Sequence, residues 1–473
     1  MKGLQSFEEG TMKLSAALLL SCLIATTMAC VSTQDVVDDD AILTEIPLPK
    51  AGVNQRPVVG EKKVLLVAAH WQSSKEIDMQ KLYADTDSGQ PGSLSDYIQK
   101  ASMGKLTLKF TTITARIAKP NPVYPDYFVD AEDAARAQGY DPNQFDYLFV
   151  VENGQGGGLA FMPGRRLIVH EQSRGYYIFA HEFAHNLGFN HGETYTKCPK
   201  VNDTVLAPDR CEIIPARPGV DTGDPVSQGR GLYPANYRWY AGWLDNSQVA
   251  VIERSGLYRL GVLGQSGPQL YLINRTGLTP RQVALEYRKP THYDNFPPTD
   301  NRANGVWVRY TTMGGTVKNF QLDGTPETTT TTDPALLPGK TLKDQQAGIT
   351  ISVCTASPDG ATVAVAVNGE AVPTCSTVVL SPPVVQIPTV GAPAAPNPVV
   401  FSGTSRPGAI IQFLYRADGG TTWTSIPETI ADAKGDWRIL LPTLEAGQYE
   451  SITRQLIGKS ASPYKSRDFK VTP

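Results

Sequence analysis

Apolar residues in this chain keep two different spacings up to about Trp243 and only one beyond it, and that change constrains the fold more than any other feature. Val64-Leu65-Leu66-Val67-Ala68-Ala69 is a continuous apolar run of the kind that fills a strand covered on both faces. Ser93 to Ser102 reads as a helix, with Ser93 or Ser95 placed to cap its first turn and Gly104 just past its end. Leu106, Leu108 and Phe110 alternate with Thr107 and Lys109, the period of a half-buried strand. Asp130 to Gln138, rich in Ala and acids, predicts a second helix, Tyr147 to Val151 a third strand and Arg166 to His170 a short fourth; Gly175 to Leu187 is apolar with helical spacing. From Val249 to Val367, short alternating runs such as Val283 to Tyr287 and Val306 to Tyr310 are divided by Gly, Pro, Asn and Thr, which predicts a β-sandwich.

At 473 residues the chain exceeds what one hydrophobic core fills, so two or three domains are expected. It opens with an address. Leu14 to Ala29 is apolar behind Met12 and Lys13 and ends in small residues, the pattern of a secretory signal; Met12 makes a better start than the leader containing Glu8 and Glu9. A membrane-spanning helix needs about 20 apolar residues, and this run is shorter. Two processing routes stay open: lipidation of Cys30, because Thr27-Met28-Ala29-Cys30 is similar to a bacterial lipobox lacking its usual Leu, or ordinary cleavage after Ala29. Residues 1–30 are thus read as a signal peptide and 31–60 as a linker. The protein is expected to be exported, either extracellular or an outer-membrane or cell-surface lipoprotein of a bacterium, touching membrane only through an anchor at Cys30.

Such a compartment permits disulfides. Beyond Cys22 and Cys30, four Cys remain, and local pairing of Cys198 with Cys211 and of Cys354 with Cys375 is favoured among the three connectivities. No C-x-x-C spacing supports a Cys-based zinc site. Lys plus Arg number 43 against 46 Asp plus Glu, a formal charge of -3, and no basic block stands out that could release counterions. Nucleic acid is therefore not an expected partner.

Of only six His, three fall in His181-Glu182-Phe183-Ala184-His185-Asn186-Leu187-Gly188-Phe189-Asn190-His191. Residues four apart share a helix face, so His181 and His185 can aim at one ion. Gly188 lets the chain leave the helix in a conformation that a Cβ disfavours, and the turn brings His191 up as a third ligand. Three imidazoles with a fourth position left for water make a catalytic Zn2+ site. Zinc lowers the pKa of its water towards ~7, and Glu182 is the base expected to take that proton and pass it to the departing amine. His70 and His170 each follow a strand-like run and read as structural or cleft-wall residues, and His292 as a solvated loop residue.

At these residues the sequence resembles the metzincin clan and, within it, the gametolysin-like metallopeptidases. Ser102-Met103-Gly104-Lys105-Leu106, Gly157-Gly158-Leu159-Ala160, Gly242-Trp243-Leu244 and Glu286-Tyr287-Arg288 also match, so the likeness spans about Val64 to Val367. It implies a multidomain protein. A metzincin-like α/β (α+β) catalytic domain over 61–245 has the zinc helix at its cleft floor, and Arg166 to His170 is the strand that lies along the cleft and pairs with an extended peptide. A β-sandwich follows over 246–372, then a Pro-rich linker over 373–390 and, over 391–473, a segment similar to bacterial immunoglobulin-like modules.

Two departures stand out. Metzincins place a Met in a tight turn beneath the zinc, whereas Asp224-Pro225-Val226-Ser227-Gln228-Gly229 has none, and Met313 alone follows the motif. Its loss removes packing, not coordination. No inhibitory prodomain with a metal-capping Cys is evident either. Tyr233, Tyr237 and Tyr240 are expected to pack the lower subdomain, and Asp221 with Asp224 lacks the spacing of a calcium loop and reads as a solvated turn.

Two functions follow. One is a secreted or lipid-anchored zinc-dependent endopeptidase that hydrolyses peptide bonds of extracellular proteins or glycoproteins through a zinc-bound water activated by Glu182. The other, motivated by the missing Met and the C-terminal segment, is a catalytically impaired surface-binding or adhesive lipoprotein with a degenerate protease domain. The first is favoured because His181, His185, His191 and Glu182 are what a decayed protease loses first.

Overall fold

The computed structural model describes residues 55–472 apart from 123–124, 155, 171–174, 215–220, 228, 329, 376–379, 390, 392–394 and 458–459. The signal sequence, Cys30 and residues 31–54 of the expected linker lie outside the described residues.

The first part runs β1 (Gly60–His70), α1 (Met79–Thr86), α2 (Leu94–Ala101), β2 (Leu106–Arg116), α3 (Asp126–Ala137), β3 (Tyr147–Val151), β4 (Gly158–Ala160), β5 (Arg166–Val169) and α4 (Tyr176–Asn186). The sheet order is β2-β1-β3-β5-β4. β1 pairs in parallel with β2 and β3, and β3 with β5; only β4 runs antiparallel. Alternation along β1 explains why its apolar run is unbroken: Val64, Leu66 and Ala68 pack with α2 and α4, whereas Leu65, Val67 and Ala69 pack with α3 on the opposite face.

Ser93 caps α2, its side chain accepting from the Asp96 N–H at 3.2 Å, and Gly104 takes φ 78° just beyond. α1 has no counterpart in the sequence reading because only Leu82 and Thr86 of it are buried, too few for an apolar stripe. One expectation is corrected. The strand at 166–170 is not the cleft edge, since β3 and β4 occupy both its sides; the open edge is the three-residue β4, within the Gly157-Gly158-Leu159-Ala160 segment.

The second part comprises β6 (Glu193–Thr196), β7 (Lys200–Val201), β8 (Thr204–Leu206), β9 (Glu212–Ile214), α5 (Ala235–Tyr240), β10 (Val249–Val251), β11 (Gly256–Leu260), β12 (Leu270–Asn274), β13 (Gln282–Tyr287), β14 (Val306–Met313), β15 (Val317–Leu322), β16 (Thr341–Asp344), β17 (Ile349–Ser357) and β18 (Gly360–Ala366). Two sheets form, β10-β12-β13-β14-β15-β6-β9 and β11-β18-β17-β16-β8-β7. Both contribute to one apolar core, with Tyr271, Leu285, Val308 and Tyr310 from the first and Leu342, Ile351, Val363 and Val365 from the second. Strands from 193–214, directly after His191, therefore belong to the same sheets as strands from 249–366.

The third part holds β19 (Val384–Ile387), β20 (Val400–Thr404), β21 (Ile410–Ala417), β22 (Thr424–Ser425), β23 (Thr429–Ile430), β24 (Asp436–Leu440), β25 (Gly447–Ile457), β26 (Ser460–Ala461) and β27 (Lys465–Val471). A sheet β19-β20-β24 and a second built on the β21·β25 pair share a core of Phe401, Phe413, Trp437 and Phe469. β19 falls in the stretch read as a linker.

Both local disulfides are present, Cys198 with Cys211 and Cys354 with Cys375. They are the mark of an extracellular or periplasmic environment. Among the described residues no helix is long and apolar enough to cross a membrane. The Cys198–Cys211 bridge ties the turn after β6 to the start of β9. Replacing both by Ser is expected to lower stability by about 3 kcal/mol, read as a lower urea midpoint against wild type under oxidising conditions.

Candidate metal centre

α4 carries the first two histidines. Gly175 opens the helix at φ 64°, and from Ile178 to Asn186 every residue except His181 is buried, which fixes the helix against the sheet. His181 and His185, one turn apart, have ring centroids 5.0 Å apart. The helix then ends where the motif places its glycine: Gly188 takes φ 92°, and a Cβ there would lie 3.4 Å from the Tyr240 ring and hydroxyl. Beyond it the chain joins the start of β15, with Val317 N–H donating to Gly188 O and Asn190 N–H to Val317 O, both at 2.9 Å. That pairing returns His191 to the helix. Its ring centroid lies 5.1 Å from that of His181 and 4.6 Å from that of His185.

The ligand atoms of the three rings all lie within 4.8 Å of one another. His181 Nδ1 faces the Pro225 carbonyl and His185 Nδ1 the Phe189 carbonyl, each at 2.8 Å. A carbonyl only accepts, so each Nδ1 carries the proton and each Nε2 keeps its lone pair. His181 Nε2 lies 3.1 Å from His191 Nε2. Tetrahedral zinc, with Zn–N of about 2.0–2.1 Å, sets its nitrogens roughly 3.3 Å apart, close to the separation of this pair, and the three rings together could hold a metal ion.

Glu182 sits between the two helical ligands in sequence and is 4% exposed. Its carboxylate lies under the open edge strand: a Cβ on Gly158 would come within 2.5 Å of Glu182 Cγ and 2.7 Å of Cδ and Oε1. No other residue fits at 158 without displacing the acid.

The short turn Pro225–Ser227 lies against α4. Its Pro225 carbonyl accepts from Tyr177 Oη at 3.1 Å as well as facing His181. Asp221 and Asp224, flanking this turn, are both fully buried, which overturns their reading as solvated. Arg309 on β14 grips Asp221 with Nε at 2.8 Å and Nη2 at 3.0 Å and also donates to Glu286. Glu286 accepts from Arg288 Nε at 2.8 Å, and Arg288 Nη1 donates to Asp294 at 3.0 Å. Burial alone would raise the Glu286 carboxyl, but Arg288 and Arg309 outweigh it and hold it at about 2. Burial and then the Asp221 charge push Asp224 up to about 8.

The three tyrosines pack, as expected. Their hydroxyls donate to backbone carbonyls around the centre: Tyr233 to Ala180 at 2.6 Å, Tyr237 to Asn190 at 3.0 Å and Tyr240 to Gly315 at 2.6 Å. Tyr237 also stacks on Phe189 at 4.4 Å. His170 lies 2.6 Å from Glu152, His70 3.7 Å from Glu76, and His292 is exposed. None of these joins the three clustered rings.

No family model matches the chain, and no curated protein matches it. Solved structures give slight likenesses. Archaemetzincin from Methanopyrus kandleri is 14% identical, with 38% of this chain and 94% of that one covered at a TM-score of 0.23. Catalytically inactive OgpA from Akkermansia muciniphila, solved with an O-glycopeptide substrate, is 8% identical over 90% of this chain and 98% of that one, again at 0.23. A superoxide reductase from Ignicoccus hospitalis covers 22% of this chain and 88% of its own at 16% identity and 0.16. At these TM-scores none carries an argument about the chain.

The ion network makes a pH prediction. The Glu286 carboxyl titrates lower in the folded than in the unfolded state. Its contribution is therefore complete above the unfolded value near 4.5 and is lost as pH falls towards 2. Glu286→Gln should be destabilised by about 3 kcal/mol or more at pH 7, and its stability should fall less steeply than wild type between about pH 5 and pH 2 in urea melts.

Proposed function

We propose that this chain is a zinc-dependent endopeptidase, exported and either free or lipid-anchored through Cys30, that hydrolyses peptide bonds of extracellular proteins or glycoproteins. The observation that carries the reading is the convergence of His181, His185 and His191, with the Nδ1 atoms of the first two committed to carbonyls so that their Nε2 lone pairs face inward. These three would hold Zn2+, which when bound supplies Lewis-acid stabilisation of the developing oxyanion and acidifies water.

The chain's own groups supply the rest. Glu182, buried beside the ligands, takes the proton of the attacking water and returns it to the departing amine. The open edge of β4 offers backbone N–H and C=O groups to an extended peptide, and Gly158 holds that edge against Glu182. The turn carbonyl of Pro225 keeps His181 in the ligating tautomer without a Met beneath it, which weakens the motive for a decayed, purely adhesive protein.

The test is a broad peptide-library digest with wild type and Glu182→Ala side by side, with metal content measured in both. One zinc per chain is expected in each, with turnover reduced about 100- to 10,000-fold in the variant. A chelator should abolish wild-type cleavage and zinc should restore it. Zinc retained with no cleavage of any library member by wild type would leave a surface-binding protein in place of the peptidase.

A further inference from the structure

α5 places Tyr237 against Phe189 of the metal-binding loop, and its next residue, Arg238, belongs to a different compartment. Arg238 lines a cleft of about 610 Å³ bounded by α2, by 262–265 and by 289–293. This is within the size range of small-molecule sites. The Arg238 side chain is fully buried, and its Nε donates to Tyr233 O at 2.8 Å. Neither Nη1 nor Nη2 has a hydrogen-bond partner among the described residues. Burial and the adjacent Arg288 pull its pKa down to about 10, so at neutral pH it remains a cation whose outer donors are unmatched. Leaving charged donors so is among the more expensive arrangements a protein interior holds.

The rest of the cleft fits one kind of occupant. Met103, Leu232, Val262 and Leu263 give it apolar walls, and exposed Lys100 and His292 stand at its rim. Its one carboxylate among the described residues, Asp96, already accepts from Tyr293 Oη at 2.7 Å, and the Lys289 ammonium is turned to Ala303 O at 2.6 Å. The paired Nη donors of a guanidinium match the two oxygens of a carboxylate. We infer that this cleft binds a carboxylate carried on an apolar body, with Arg238 as its anchor. The acid is either that of a small apolar molecule or the free C-terminus of a peptide with apolar last residues. The site does not depend on the peptidase reading, since it shares no residue with the metal centre.

Titration calorimetry of the whole purified protein tests it, with 3-phenylpropionate and a tetrapeptide ending in Phe as probes, each beside its amide. At least one acid should bind, and at least tenfold more tightly than its amide; which acid binds identifies the source. Arg238→Met should weaken that binding at least tenfold, while chelator treatment leaves it unchanged. A 4-bromophenyl derivative of the binding probe, soaked into crystals of wild type, should give its anomalous signal between Arg238 and Leu263; this measurement stands even if the variant fails to fold. Binding of neither acid, equal binding of the amides, undiminished binding by folded Arg238→Met, loss of binding with chelator, or bromine located elsewhere would each overturn the site.

Discussion

A buried bidentate ion pair, Arg309 to Asp221, is the tie on which the geometry around the three histidines rests. Asp221 begins the turn whose Pro225 carbonyl orients His181, and Arg309 stands on a strand of the second part. Glu286, Arg288 and Asp294 extend the tie, so that each buried charge has an opposite neighbour at hydrogen-bond distance. Buried pairs of this kind add little stability over apolar packing. Breaking one partner is another matter, because the remaining charge is stranded without water. The network thus makes the position of the turn strict rather than merely favourable.

The second constraint is how the chain leaves α4. Val317 N–H donates to Gly188 O and its carbonyl accepts from Asn190 N–H, His191 follows, and two residues later β6 enters a sheet beside β15. Helix and sheet therefore meet at the third histidine. A ligand set drawn from α4 alone would have two members; the third is placed by pairing with a strand far along the sequence.

Much of this was readable in the sequence because it is local. The spacing of His181, His185 and His191, the caps of α2, the apolar run of β1 and the two disulfides all depend on residues close together in the chain. What escaped is either too short or too distant. β4 has three residues, too few to show a period, whereas the family resemblance points to the longer β5 behind it as the cleft edge. Asp221, Glu286, Asp294 and Arg309 look like ordinary surface charges one at a time. The pairing of β13 with β14, which sets Ala284 opposite Arg309 and Glu286 opposite Trp307, brings two of them together in the interior, and loops distant in sequence add Asp221 and Asp294. The same holds for β6 to β9, whose short alternations gave no sign of the sheets they join.

Gly158 has a consequence of its own. Because the edge strand touches the Glu182 side chain directly at this residue, the height of that strand above the helix is set by atomic radii. The level of β4 is thus gauged from α4. A hydrogen atom in place of a methyl is, in this sense, the spacer between β4 and α4.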